Sequence, residues 1–142
     1  MVTTVPKQKI NYSELTTGYE FPQSTFRLDP TMVATYRKAA GESSPLYQNT
    51  NQVPPMAVMA LAMAALSQTI SLPEGAIHVS QELEFLHIIS TSDTITSISR
   101  VAKKLKSSKF HLLGIELHLQ NQDSVEVLSG QTELILPFLG GQ

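Results

Sequence analysis

Up to about residue 72 the apolar positions of this chain cluster or recur at helical spacing; beyond it they alternate. The densest run, Met56 to Leu66, is eleven apolar residues with no charge, glycine or proline. Its alanines, leucines and methionines are good helix formers. Pro54 and Pro55 suit a helix start, where the N–H that proline lacks would be unpaired anyway. The pattern predicts a helix over about 54–70, apolar on every side and therefore wrapped by protein. It is too short for a bilayer, which needs ~20 apolar residues.

A second, shorter helix is predicted over about 30–40. Asp29 caps its free amides, Pro30 takes the first helical position, and Gly41 ends it. Met32, Val33, Tyr36 and Ala40 fall on one face. Before it, residues 12–27 mix β-formers with turn marks at Gly18 and Pro22, as in an edge strand, and residues 1–11 read as a loose polar end. Residues 41–52 form a polar connector between the two helices.

After the turn Leu72-Pro73-Glu74-Gly75 the period changes to two. Ile77, Val79, Leu83, Phe85 and Ile89 point one way; His78, Ser80, Glu82 and Glu84 point the other. Residues 94–105 form a more polar strand. Phe110 to Gln120 alternates again, with His111 on the face of Leu113, Ile115, Leu117 and Leu119. Asn121-Gln122-Asp123-Ser124 turns the chain into a last strand from Val125 to Leu136. One arrangement buries both patterns: an α+β hot-dog fold, a long curved antiparallel sheet wrapped around the central helix, as one domain over residues 1–142. The long strands leave an edge that a second copy would cover, which predicts a homodimer.

Composition narrows the function classes. With 142 residues and 42% hydrophobic content the chain can bury a real core. A net charge of −2 argues against nucleic acid as a partner. The absence of cysteine excludes disulfides, thiolate metal sites and cysteine nucleophiles. MVTTVPKQK has no apolar signal core, so a cytoplasmic location is expected.

Four stretches carry a family resemblance: AAGESSPLYQN at 39–49, VPPMAV at 53–58, QELEFLHIISTSDTIT at 81–96 and SGQTELILP at 129–137. In their order and spacing the chain resembles MaoC-like hot-dog proteins, which include (R)-specific enoyl-CoA hydratases and 3-hydroxyacyl-thioester dehydratases. The resemblance implies hydro-lyase chemistry on an acyl thioester, carried by coenzyme A or a carrier protein, without a cofactor or metal. In that family an Asp and a His on the connector are the catalytic pair, and a backbone amide at the start of the central helix polarises the thioester carbonyl. Carried over, Gly41, Pro45 and Leu46 match, but Glu42 stands at the Asp position, Ser44 at an Asn and Tyr47 at the His. Pro54-Pro55 replaces a His-Gly pair, which leaves the amide of Met56 as the substitute donor.

The departures matter chemically. A neutral His takes a proton near pH 7, whereas a tyrosine, with a pKa near 10, is a poorer base and an adequate donor. Glu42 and Tyr47 read either as a modified acid–base pair or as a helix-terminal acid and a packed loop tyrosine. Ser44 reads as a substrate contact or as the stabiliser of its own turn. His78 reads as a residue at the mouth of an acyl tunnel or as a solvated strand histidine. Met56, Met59 and Met63 line a chain-binding surface or pack the core. Arg100, Lys103, Lys104, Lys106 and Lys109 attract phosphates or form a solvated strand end. His111 and His118 lie on opposite faces of one strand and so cannot share a metal through it. Three functions follow: a dehydratase or hydratase using Glu42 and Tyr47; a non-catalytic acyl-binding subunit that partners an active hot-dog protein in a hetero-oligomer; and, last, a thioesterase, for which the central helix lacks a carboxylate.

Overall fold

The computed structural model describes residues 9–41, 44 and 51–137. Two helices, α1 (Pro30–Ala40) and α2 (Pro55–Ser67), precede most of the strands. The main strands are β2 (Ser24–Arg27), β4 (Ile77–Phe85), β5 (Thr94–Lys106), β6 (Phe110–Gln120) and β7 (Glu126–Pro137). They form one antiparallel sheet in the order β2-β5-β6-β7-β4. Its inner face holds Ile95, Val101, Leu113, Ile115, Leu117, Leu119, Leu128 and Leu136, all sealed from solvent together with Val58, Met59 and Ala62 of α2. The helix therefore lies on the sheet's apolar face. Ala and Met give it the slim, adaptable surface that close packing on a pleated sheet requires. At the crossing the sheet carries Gly130, where a β-carbon would stand 3.0 Å from Met59 Cε.

Short helix α1 follows its sequence signals closely. Oδ1 of Asp29 accepts from the amides of Thr31 and Met32 at 2.7 and 3.3 Å. Gly41 takes the left-handed conformation (φ 69°) that ends the helix. Val33 is buried, Met32 and Tyr36 are half-buried against the core, and Ala40 is exposed.

Four expectations need correction. First, α2 is not covered on every side: Met56, Ala60, Ala64 and Ser67 form an exposed stripe along it. Second, it stops at Ser67, and Ile70–Ser71 is a short strand, β3, pairing in parallel with β1 (Ile10–Asn11). That pairing gives structure to residues 10 and 11, which read as a loose end. Third, the first edge segment is mostly not a strand. Tyr12–Glu14 is a 3-10 turn, and only Ser24–Arg27 enters the sheet, with one bridge from Glu20 to Arg100. Fourth, the register of β4 against β7 shifts between His78 and Ser80, an irregularity that reverses the alternation at Val79. His78 pairs with Leu134 and Gln81 with Thr132, so both take the helix side with Leu83 and Phe85. Ile77 shares the outer face with Ser80, Glu82 and Glu84.

Candidate functional site

The connector that carries the predicted catalytic residues begins at the end of α1 and returns to the chain before α2. Glu42 and Tyr47 themselves lie outside the described residues. The chain is anchored on either side of them in sequence. Gly41 donates to Lys38 O at 3.3 Å, closing α1. At the other end Thr91 N donates to Asn51 O at 2.7 Å and Val53 N to Ile89 O at 2.8 Å, fastening the returning chain to the segment before β5.

Between the two helices is an apolar cleft of about 130 Å³. Leu28, Met32, Val33 and Tyr36 line it from one side, and Val53, Ala57, Ala60 and Leu61 from the other. The small residues of α2 make this gap. Ala57 and Ala60 leave room under α1 that larger side chains would fill. The lining offers a hydrocarbon chain apolar contact and almost nothing to hydrogen-bond, except the hydroxyl of Tyr36.

The start of α2 has few donors. Pro54 and Pro55 carry no N–H, and Ala57 N donates to Pro54 O at 3.0 Å. Met56 N is the one amide of residues 54–57 with no backbone acceptor among the described residues, at the end of the helix where the dipole favours negative charge. Its side chain is half exposed and lines no part of the cleft. In the last turn of α1, Nε of Arg37 is sealed from solvent with no hydrogen-bond partner among the described residues. This donor was missed in the sequence; its position one turn before the connector was the available signal.

The remaining candidates separate. Ser44 is half-buried. His78 is not in the cleft: its Nε2 lies 2.5 Å from Thr132 Oγ1 and 3.1 Å from Ser80 O, at the sheet edge. The basic cluster is largely committed. Arg100 pairs with Glu116 at 3.0 Å and Lys103 with Glu133 at 2.6 Å, both on the outer sheet face. Lys104 turns inward and donates to the carbonyls of Tyr12 and Leu15 at 3.0 and 2.9 Å. His111 is buried on the inner face, whereas His118 faces outward between Glu116 and Glu126, 3.3 Å from each. Burial alone would raise the pKa of Glu116, but the hydrogen bonds and charges of His118 and Arg100 outweigh it and hold it below the usual carboxylate range. Among the described residues no three His, Asp or Glu side chains converge as metal ligands, and no helix is long and apolar enough to cross a membrane.

A helix laid across one face of a five-stranded antiparallel sheet in this order can be compared with solved structures. The monoamine oxidase regulatory protein from Archaeoglobus fulgidus superposes with a TM-score of 0.79 at 16% identity, over 92% of this chain and 96% of that one. The unliganded R-hydratase PhaJ1 from Pseudomonas aeruginosa gives 0.78 at 20% identity, over 92% and 88%.

The chain has the hot-dog fold.

A chain of the HadBC (3R-hydroxyacyl-ACP dehydratase) complex from Mycobacterium tuberculosis matches with a TM-score of 0.70 at 14% identity, over 84% of this chain and 96% of that one. No family model and no curated protein matches the sequence. The hot-dog neighbours thus include MaoC-like dehydratases and hydratases, and members of complexes built from two different subunits. In this hot-dog chain the α1–α2 cleft lies beside the N-terminal half of the central helix.

Proposed function

We propose that this protein is a single-domain hot-dog dehydratase or hydratase that interconverts 3-hydroxyacyl and 2-enoyl thioesters. The observation that supports the reading is the apolar cleft between α1 and α2, whose lining includes Tyr36 and Val53, the one preceding and the other following the segment 41–52 in sequence. An acyl chain lies in the cleft, against Met32, Tyr36 and Leu61. The thioester carbonyl is held by the amide of Met56, with Ser44 nearby on the connector. Glu42 acts as the carboxylate base that holds and activates water; Tyr47 donates the second proton. General acid–base groups of this kind contribute roughly 10²–10⁴-fold each. The thioester is a coenzyme A or carrier-protein ester.

The proposed assembly is a homodimer through β4, the long edge of the sheet. Ile77, Val79 and Phe85 are 60, 45 and 52% exposed there, too much apolar surface for a free edge. An antiparallel pairing of two β4 strands would cover these side chains and satisfy the unpaired backbone groups of the edge.

Purified protein mixed with 2-enoyl-CoA esters of increasing chain length should lose the enoyl-thioester absorbance. Glu42→Gln should lower kcat by about 10²-fold or more. No turnover on any chain length, alone or with candidate partner subunits, sinks the reading.

A second reading rests on Pro54 and Pro55, which strip amides from the place where carbonyl polarisation is needed. On it, the domain holds the acyl chain and an active hot-dog subunit brings the catalytic Asp and His, as a hetero-oligomer. It predicts an inactive isolated chain and activity on mixing. Thioester hydrolysis ranks last, because α2 carries no carboxylate; release of free thiol would reveal it.

A further inference from the structure

A second cavity, of about 350 Å³, lies at the other end of the core. The cleft's Leu28 is fastened to Ser92 and Asp93 at the start of β5, whereas this cavity is lined by Lys104, Leu105 and Lys106 at the strand's finish, with His111, Tyr12 and Ser13. Its volume is within the ~300–1,000 Å³ range of small-molecule sites.

Three features of its wall are those of a binding site. The first is a positioned cation. Lys104 is half-buried, held by the carbonyls of Tyr12 and Leu15, with its ammonium 4.4 Å from the centre of the Tyr12 ring. An ammonium has three donors, and those two carbonyls take only two of them. The second is an unused donor. Tyr12 is 5% exposed, and its hydroxyl is sealed with no hydrogen-bond partner among the described residues. Buried polar groups are nearly always paired, so an orphan of this kind calls for an acceptor. The third is an apolar body: the Tyr12 and His111 rings meet edge to face at 5.6 Å, and Leu105 adds an exposed isobutyl group.

The geometry points to a second ligand site here, for a small amphipathic carboxylate whose head is taken by Lys104 and the Tyr12 hydroxyl and whose apolar body lies on Leu105 and the Tyr12 ring. Lys106, also in the lining, adds positive charge. The site is independent of the acyl cleft, which shares none of its residues.

The test is titration of the ¹⁵N-labelled full chain with octanoate and, separately, octanol, followed by amide chemical shifts. Octanoate should produce saturable shifts at Ser13, Lys104, Leu105 and Lys106, and octanol should bind about tenfold or more weakly. Tyr12→Phe should fold as well as the parent, because the hydroxyl it deletes has no partner among the described residues of the free protein, yet bind octanoate several-fold more weakly. Leu105→Glu, a change at an exposed position, should weaken octanoate by about tenfold through like-charge repulsion. Absence of saturation, equal binding of acid and alcohol, or unchanged affinity in both variants overturns the site. Shifts confined to Leu28, Tyr36 and Ala57 also overturn it, while leaving the acyl-cleft reading intact.

Discussion

Met59 and Gly130 meet where the central helix crosses the sheet. A β-carbon built on Gly130 would lie 3.0 Å from Met59 Cε, 2.8 Å from Leu83 Cδ2 and 2.9 Å from Glu82 O. Met59 can swing aside; the carbonyl of Glu82 belongs to the neighbouring strand and cannot move without disturbing the β4–β7 ladder. Gly130→Ala should therefore cost roughly 1–3 kcal/mol, the range for overpacking a close-packed site. Urea denaturation should show a lower midpoint with an unchanged slope. A midpoint equal to the parent's would mean that the helix does not press on the sheet there.

On the outer face, the depressed pKa of Glu116 makes a statement about stability and pH. A carboxyl whose pKa is lower in the folded than in the unfolded chain contributes stability above the ordinary value of 4.5, and loses it as pH falls through the folded value. Glu116→Gln should thus be less stable than the parent at pH 7, and the gap should close as pH falls below 4.5. The difference at pH 7 should be at most ~1 kcal/mol, because Arg100 and His118 are well exposed partners. Thermal melts of both proteins across that range check the sign. A gap that widens in acid contradicts it.

The two prolines before α2 give a gain-of-function prediction. Pro55→Gly returns an N–H to the first turn, beside the amide of Met56. If the thioester carbonyl is bound there, the rate on 2-enoyl-CoA esters should rise roughly tenfold or more, since a single oxyanion donor is worth ~10²–10³ in kcat elsewhere. In the non-catalytic reading the same change should leave the isolated chain inactive. Steady-state kinetics on parent and variant separate the two.

Assembly through β4 predicts that Phe85→Glu dissociates the dimer. Phe85 is half exposed in the single chain, so the change should spare the fold, but it would set a charge in the seam between two β4 edges. Light scattering after gel filtration should give a dimer for the parent and a monomer for the variant, with the same far-UV circular dichroism. A parent that is monomeric at all concentrations removes the proposed interface.

The local elements were written in the chain. Asp29, Pro30 and Gly41 set the limits of α1, because caps and left-handed turns depend on side chains within a few residues. Alternation from Phe110 to Gln120 marked β6 to the residue, since period two needs no knowledge of neighbours. The run from Met56 to Leu66 marked α2 and its burial against a curved sheet. Connector motifs pointed to the fold that the solved structures share.

Only the tertiary structure could decide the rest. The irregularity at Val79, which carries His78 to the helix side, arises from pairing with β7, some fifty residues away. The strand at Ile10 exists because Ile70 is beside it, and Lys104, read as part of a cluster that attracts phosphates or forms a solvated strand end, is drawn inward by two carbonyls about ninety residues earlier. The cleft beside α2 follows from where α1 happens to lean on Ala57 and Ala60. Sequence periodicity records which side of an element is oily; it carries no record of which distant backbone will come to meet it. Contacts across the sheet therefore had to be seen in three dimensions.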